Sequence, residues 1–168
     1  ITVPLAAAAA LGNPEDRYPL YIEANTAIRD LAPMVPIAHG ASAVAFKANV
    51  EGAHSSPLGN ENFSVMSDPD DDVLVWMQNG EPAGLYCADE TDGEALRACE
   101  QMLEPLLAYE VAGTAVIPAL ATEYEANEDG TVWTFTLREG VTFHDGSTFD
   151  ANDVVMSFGV QWDAANPL

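Results

Sequence analysis

The stretch VWTFTLREGVTFHDGSTFDANDVVMSF, residues 132–158, decides how this chain is read. Val132, Thr134 and Thr136 alternate with Trp133, Phe135 and Leu137. That period of two, rich in β-branched and aromatic residues, predicts a strand with one face buried. Asp129-Gly130 ahead of it supplies the positive φ of a tight turn, and Glu139-Gly140 closes the strand in the same manner. A short strand is expected at Val141–Phe143, then a turn at Asp145-Gly146. Asp150, three residues before Asp153 and just ahead of Val154, Val155 and Phe158, reads as a helix N-cap with an acidic N3. Every acid here has a structural task. His144 stands alone, since His39 and His54 fall at no metal-ligand spacing with it. The stretch is architecture rather than a catalytic or metal cluster.

Working outward, Asn13-Pro14-Glu15-Asp16 has the order of a helix start: cap, proline at the first helical position, acids in the first turn. Its helix should run to Ala32, before Pro33, with Tyr21, Ala24, Ile28 and Leu31 as the buried stripe and Pro19 disturbing the first turn. Strands are expected at 34–39 and 43–50, a short one at 63–66, and a buried one at 72–78. Thr91-Asp92-Gly93-Glu94 has the form of a capping box, which starts a helix near Asp92 with Leu96, Cys99, Leu103 and Leu106 on its apolar face. Residues 67–72, SDPDDD, form the one sharp break in composition and are the linker candidate. They are not an EF-hand loop, because Val73 stands where the glycine is required and Asn79 where the bidentate glutamate is.

Composition bounds the function. The chain has 168 residues, 27 acidic and 5 basic, for a net charge of −22. Such a surface repels phosphate backbones, so nucleic acid is excluded as a partner. With 48% apolar residues the chain should fold around a core. No apolar run is long enough to span a bilayer, and the opening ITVPLAAAAALG lacks a basic n-region, so it is not read as a signal peptide. No phosphate loop, dinucleotide fingerprint, nucleophile elbow, zinc-protease motif or C-x-x-C occurs. An enzyme is not expected, nor is a cofactor or a metal. Cys87 and Cys99 flank a loop, and both a disulfide in an oxidising compartment and two buried thiols remain open. Trp76, Trp133 and Trp162 are assigned to the core.

Residues 116–158 resemble the N-terminal region of the solute-binding proteins of peptide-importing ABC transporters, the bacterial extracellular family 5. The resemblance rests on Pro118, Leu120-Ala121, Tyr124, Asp129-Gly130, Phe135, Leu137-Arg138-Glu139-Gly140-Val141, Phe143-His144-Asp145-Gly146 and Ala151-Asn152-Asp153-Val154-Val155-Met156-Ser157-Phe158. Residues 74–96 resemble that family's first strand and the loop after it. Residues 17–66 resemble the other end of the family, its final helix and strands. The order is therefore reversed. Either the chain is circularly permuted, with old termini joined through 67–72, or two binding proteins are fused in tandem; permutation is the preferred account. Six residues reach about 20 Å, enough if the old termini lie close on one lobe.

The resemblance implies an α/β fold: an incomplete part of one lobe of a type II periplasmic-binding-protein clamshell, a mixed sheet with flanking helices. It implies segments 1–66 and 73–168 around a 67–72 linker, with 1–168 co-folded as one lobe. It implies a protein, periplasmic or extracellular and with or without a membrane anchor, that carries a peptide or other small solute to an ABC transporter permease, the rest of the clamshell completing the cleft. The ligand-binding residues it implies here are Thr91, Asp92 and Gly93. The alternative is a structural or surface-layer protein built from a repurposed binding lobe, which the acidic surface would suit.

Overall fold

The computed structural model describes residues 1–40, 43–59 and 61–164. Two compact units divide the chain: residues 1–42 with 123–136, and residues 43–122 with 137–168. The fold is mixed α/β, and its strands come as two two-stranded sheets among the described residues. No described helix is long and apolar enough to cross a membrane.

In the first unit, the alanine run folds as helix α1, Thr2–Ala9. Alanine loses no side-chain entropy in a helix. Helix α2, Pro14–Leu31, begins as expected: the Asn13 side chain accepts from the Glu15 N–H at 3.0 Å, with Pro14 at N1 and Glu15 and Asp16 in the first turn. It ends at Ala32, which takes a left-handed φ of 44° before Pro33. Its buried face differs from the expected one. Ala24 is buried and Leu20, Ala27 and Ile28 are half-buried, whereas Tyr21 and Leu31 are exposed. The small residues let α2 lie against Pro4 and Ala8 of α1, which the larger side chains could not do. The turn after α1 approaches the 127–130 turn so closely that a Cβ on Gly12 would stand 2.8 Å from the Asn127 carbonyl oxygen.

Strand β1, Leu107–Tyr109, pairs antiparallel with β2, Val116–Pro118, Ala108 opposite Ile117. Strand β3, Ala121–Ala126, pairs with β4, Trp133–Leu137, through a turn in which Gly130 has φ +67°. Trp133 Nε1 donates to the Gly130 carbonyl, and Tyr124 stacks on Trp133 and Phe135. At the base of this hairpin Arg138 donates from Nε and Nη2 to the Ala119 carbonyl, at 3.1 and 2.7 Å, while its backbone N–H donates to Leu120 O. Ala119 and Ala121 are buried there, and both donate from N–H to the Leu106 carbonyl.

Past Gly140, at φ +73°, the expected strand 141–143 is one isolated bridge, Thr142 to Thr148, closed by Phe143 N–H to Ser147 O. Asp145 accepts from the Ser147 N–H and hydroxyl, which hold its carboxyl below the usual range. Helix α4, Ala151–Trp162, carries the expected capping box of Asp150 and Asp153. Its Trp162 is 73% exposed and stacks on Phe158, so it is not core, and neither is Trp133, which is 44% exposed. The close of the chain, 165–168, lies outside the described residues.

Four expected strands do not form. Segments 34–39 and 43–50 are extended or turning with no ladder among the described residues, and Pro36 lacks the N–H a ladder would use. Residues 63–66 make a 3₁₀ turn, Phe63–Val65, because the Asn62 side chain captures the Ser64 N–H at 2.9 Å. Segment 72–78 keeps its alternation, with Leu74, Trp76 and Gln78 half-buried and Val75 and Met77 out, but it is unpaired and not buried. Residues 67–72 fall within the second unit, where Asp68 accepts from Asn49 Nδ2 at 2.8 Å and the Asp70 N–H at 3.1 Å and pairs with Lys47 at 3.4 Å.

Cys87 and Cys99 form a disulfide across twelve residues of sequence. Replacing both by serine should cost about 3 kcal/mol, the scale set by closing a loop of this size in the unfolded chain. Thermal unfolding with and without reductant measures this; an unchanged midpoint would remove the bond from the account of stability. Arg138→Ala should lower stability by roughly 1–2 kcal/mol, since it strips two charge-assisted donors from one carbonyl while the backbone bond to Leu120 stays. Urea titration of the variant checks it.

Candidate functional site

The residues implied to touch a ligand, Thr91, Asp92 and Gly93, lie where a 3₁₀ turn, Cys87–Asp89, hands the chain to helix α3, Gly93–Met102. The N-cap is Asp92 and not Thr91. Its Oδ1 accepts from the Ala95 N–H at 3.0 Å, and its carbonyl accepts from Leu96 N–H. Asp outranks Thr at this position, and Gly93 can take the first helical place. N3 is therefore Ala95, so Glu94 is a first-turn acid and completes no capping box. The apolar face is Ala95 and Cys99; Leu96 and Leu103 are exposed.

Thr91 and Gly93 are exposed, and a Cβ on Gly93 would meet nothing within 4 Å. Open space thus fronts the helix start, where the N–H groups of Gly93 and Glu94 have no acceptor inside the helix. The charge around them is acidic. Asp92 Oδ2 is buried and receives no hydrogen bond. Burial raises the Glu90 carboxyl above its ordinary range, and the adjacent Asp92 carboxyl, as hydrogen-bond partner and as like charge, raises it further, with a smaller push from Asp89. The arrangement offers N–H donors to a carboxylate or carbonyl oxygen and carboxylates to an ammonium group.

The loop is held from behind by contacts that pattern reading missed. Arg97, one turn into α3, donates from Nη2 to the Gly59 carbonyl at 2.7 Å and pairs with Glu61 at 3.3 Å. Glu61 is only 3% exposed. The Arg97 guanidinium lies 5.5 Å from the centre of the Trp76 ring, which packs against Phe46 and Phe63. Gln101 accepts from the Phe63 N–H at 2.9 Å and donates to the Glu61 carbonyl at 3.0 Å. Gln161 of α4 donates to the Ala88 carbonyl. The only signal for Arg97 in the sequence was scarcity: a chain with five cations leaves few to spend. Among the described residues no group of three or more His, Cys, Asp or Glu could hold a metal ion.

Comparison with known proteins adds a second line. Residues 115–167 match the model of the bacterial extracellular solute-binding proteins, family 5 Middle. The dipeptide-binding protein of Escherichia coli K12 is 39% identical over 102 residues, 56% of this chain and 19% of that protein. The nickel-binding periplasmic protein of the same organism is 36% identical over 92 residues, 54% of this chain and 16% of that protein. Heme-binding protein A of Haemophilus influenzae is 33% identical over 102 residues, 56% and 19% of the two chains. The aligned part is thus about a fifth of the length of these relatives. No solved structure matches. The matched stretch carries the turns, the Arg138 anchor and the capped α4 described above, and over it the chain is similar to the bacterial extracellular solute-binding proteins, family 5.

Proposed function

We propose that this chain is part of a solute-binding protein that delivers a small, peptide-like solute to the permease of an ABC importer, outside the cytoplasmic membrane. The ordered family match over residues 115–167 carries the proposal. The relatives named above bind a dipeptide, nickel and heme, so family alone does not choose the solute. The start of α3 favours the peptide. Its N–H groups suit a carboxylate or carbonyl oxygen, and the Asp92 and Glu90 carboxylates suit an ammonium, the two kinds of group a peptide presents. Thr91, Asp92 and Gly93 are the ligand contacts in this proposal, and the rest of the clamshell closes over them. The scaffold alternative draws no support from these relatives.

We further infer that segments 1–66 and 73–168 fold together as one lobe in permuted order. Contacts inside each unit support this. Glu61, Gly59, Phe46 and Phe63 meet Arg97, Gln101 and Trp76 in one, and Gly12 meets Asn127 in the other.

Mass spectrometry of solutes released from the natively purified full-length protein should detect a bound peptide. Asp92→Asn keeps the helix cap and removes the charge, and should weaken binding of that peptide about tenfold. A protein that carries no solute and titrates with no peptide defeats the transport proposal; an unaltered affinity in Asp92→Asn defeats the role of Asp92 alone. For the shared lobe, a protease site inserted between Asp70 and Asp71 should yield two pieces that co-elute after cleavage. Separation into independent pieces would rule the permuted lobe out.

A further inference from the structure

Asn79-Gly80 ends the unpaired 72–78 segment in an exposed bend. Asn79 is the one asparagine of the chain that precedes a glycine. Neither its side chain nor the Gly80 N–H has a hydrogen-bond partner among the described residues. The other described asparagines are fastened. Asn49 donates to Asp68 and Asp70, Asn62 accepts from the Ser64 N–H, and Asn127 is bonded to Thr131 and Val132. Asn25 lies inside α2, where the helical ladder holds the N–H that follows. Asn152 opens α4, and the N–H after it donates to the Asp150 carbonyl at 3.2 Å. Asn13 precedes Pro14, which has no N–H. Among the described residues, only Asn79 thus sets a free side-chain amide beside a free N–H. Only there does the following residue also lack a Cβ that would hinder their approach.

We propose that Asn79-Gly80 is a self-modifying site, which converts to an aspartyl or isoaspartyl link and so sets a new carboxylate beside Glu94 at the start of α3. The Gly80 amide nitrogen attacks Cγ of Asn79. A C–N bond closes a succinimide ring, and the side-chain nitrogen leaves as ammonia with the proton that the Gly80 amide gives up. Water then adds to either ring carbonyl and breaks its bond to nitrogen. Opening at the former side-chain carbonyl yields aspartate; opening at the main-chain carbonyl yields isoaspartate. Water enters, ammonia leaves, and no oxidant or reductant takes part. The location follows from packing: a Cβ on Gly80 would meet Glu94 Cγ at 3.9 Å. Glu94 is a first-turn acid of α3, and a helix start favours negative charge, so the aspartyl form stays folded with its charge added there. The isoaspartyl form also lengthens the main chain by a methylene, at the joint between the 72–78 segment and the loop that leads to Cys87. The site is thus a slow, irreversible change of charge and of chain path, driven by the chain itself.

The test ages the intact folded chain in warm, mildly alkaline buffer made with heavy-oxygen water, followed by peptide mapping in a mass spectrometer. The peptide that holds Asn79 should gain about 1 Da, the difference between an amide and an acid, plus the heavy-oxygen increment. It should split into aspartyl and isoaspartyl forms that elute apart. Peptides with Asn49, Asn62 and Asn127 should stay unchanged over the same time. Gly80→Ala should slow the conversion at least about tenfold, because a Cβ narrows the backbone angles open to ring closure. That variant has room for its methyl group, since Glu94 Cγ at 3.9 Å is in ordinary contact. An Asn79 peptide that keeps its mass while another asparagine converts overturns the proposal. So does conversion to aspartate with no isoaspartate, which would mean direct hydrolysis without a ring, or an equal rate in Gly80→Ala. If that variant fails to fold, the order of conversion among asparagines and the isoaspartate in the wild type decide the matter alone.

Discussion

Positive charge is the scarce resource of this protein, and Arg97 is where its use matters most. One guanidinium joins a buried carboxylate, a loop carbonyl and an indole face, and so ties Gly59 and Glu61 to a helix that begins more than thirty positions later. Bringing such a pair out of water is costly, and the pair adds little net stability for that reason. Removing one member, however, strands the other, at about 3–5 kcal/mol in comparable buried pairs. The remaining cations are tied as well: Arg17 donates to the Leu11 carbonyl, Arg29 pairs with Asp30, Lys47 with Asp68, and Arg138 grips Ala119. In a chain of net charge −22, the contacts of Lys47, Arg97 and Arg138 join segments well apart in sequence, and those of Arg17 and Arg29 stay local.

What could be read from sequence was local chemistry. Asn13, Asp150 with Asp153, Gly130 and Gly146 announced helix starts and turns because each satisfies or permits a specific backbone group within a few residues. The failures were of two kinds. At Thr91-Asp92 two competent caps stand side by side, and pattern alone does not choose; the ranking of Asp over Thr does. At 43–50 and 72–78 the alternation was real, and Val44, Phe46, Leu74 and Trp76 do turn inward. A strand is made by its neighbour, though, and alternation says nothing about whether a neighbour is there. The Glu61–Arg97 pair and the Phe46–Trp76–Phe63 cluster were invisible for the same reason: they depend on which segments come together.

The family match and the described contacts bear on different things. The match covers a hairpin, its anchor and a capped helix, which is framework. The start of α3 lies upstream of that matched stretch, fronted by open space and backed by the disulfide and the Arg97 cluster. A rigid rear and an open front are what a binding loop needs if its backbone donors are to be aimed before a ligand arrives, because ordering costs met in folding are not met again on binding.

Gly12 shows how tightly residues from far apart in the chain are joined. Its α-carbon faces the Asn127 carbonyl with no room for even a methyl group. Any larger residue there would bring its Cβ against that oxygen and would have to wedge the helical opening away from the hairpin turn. A hydrogen atom in place of a side chain is thus what lets the two stretches meet at this distance.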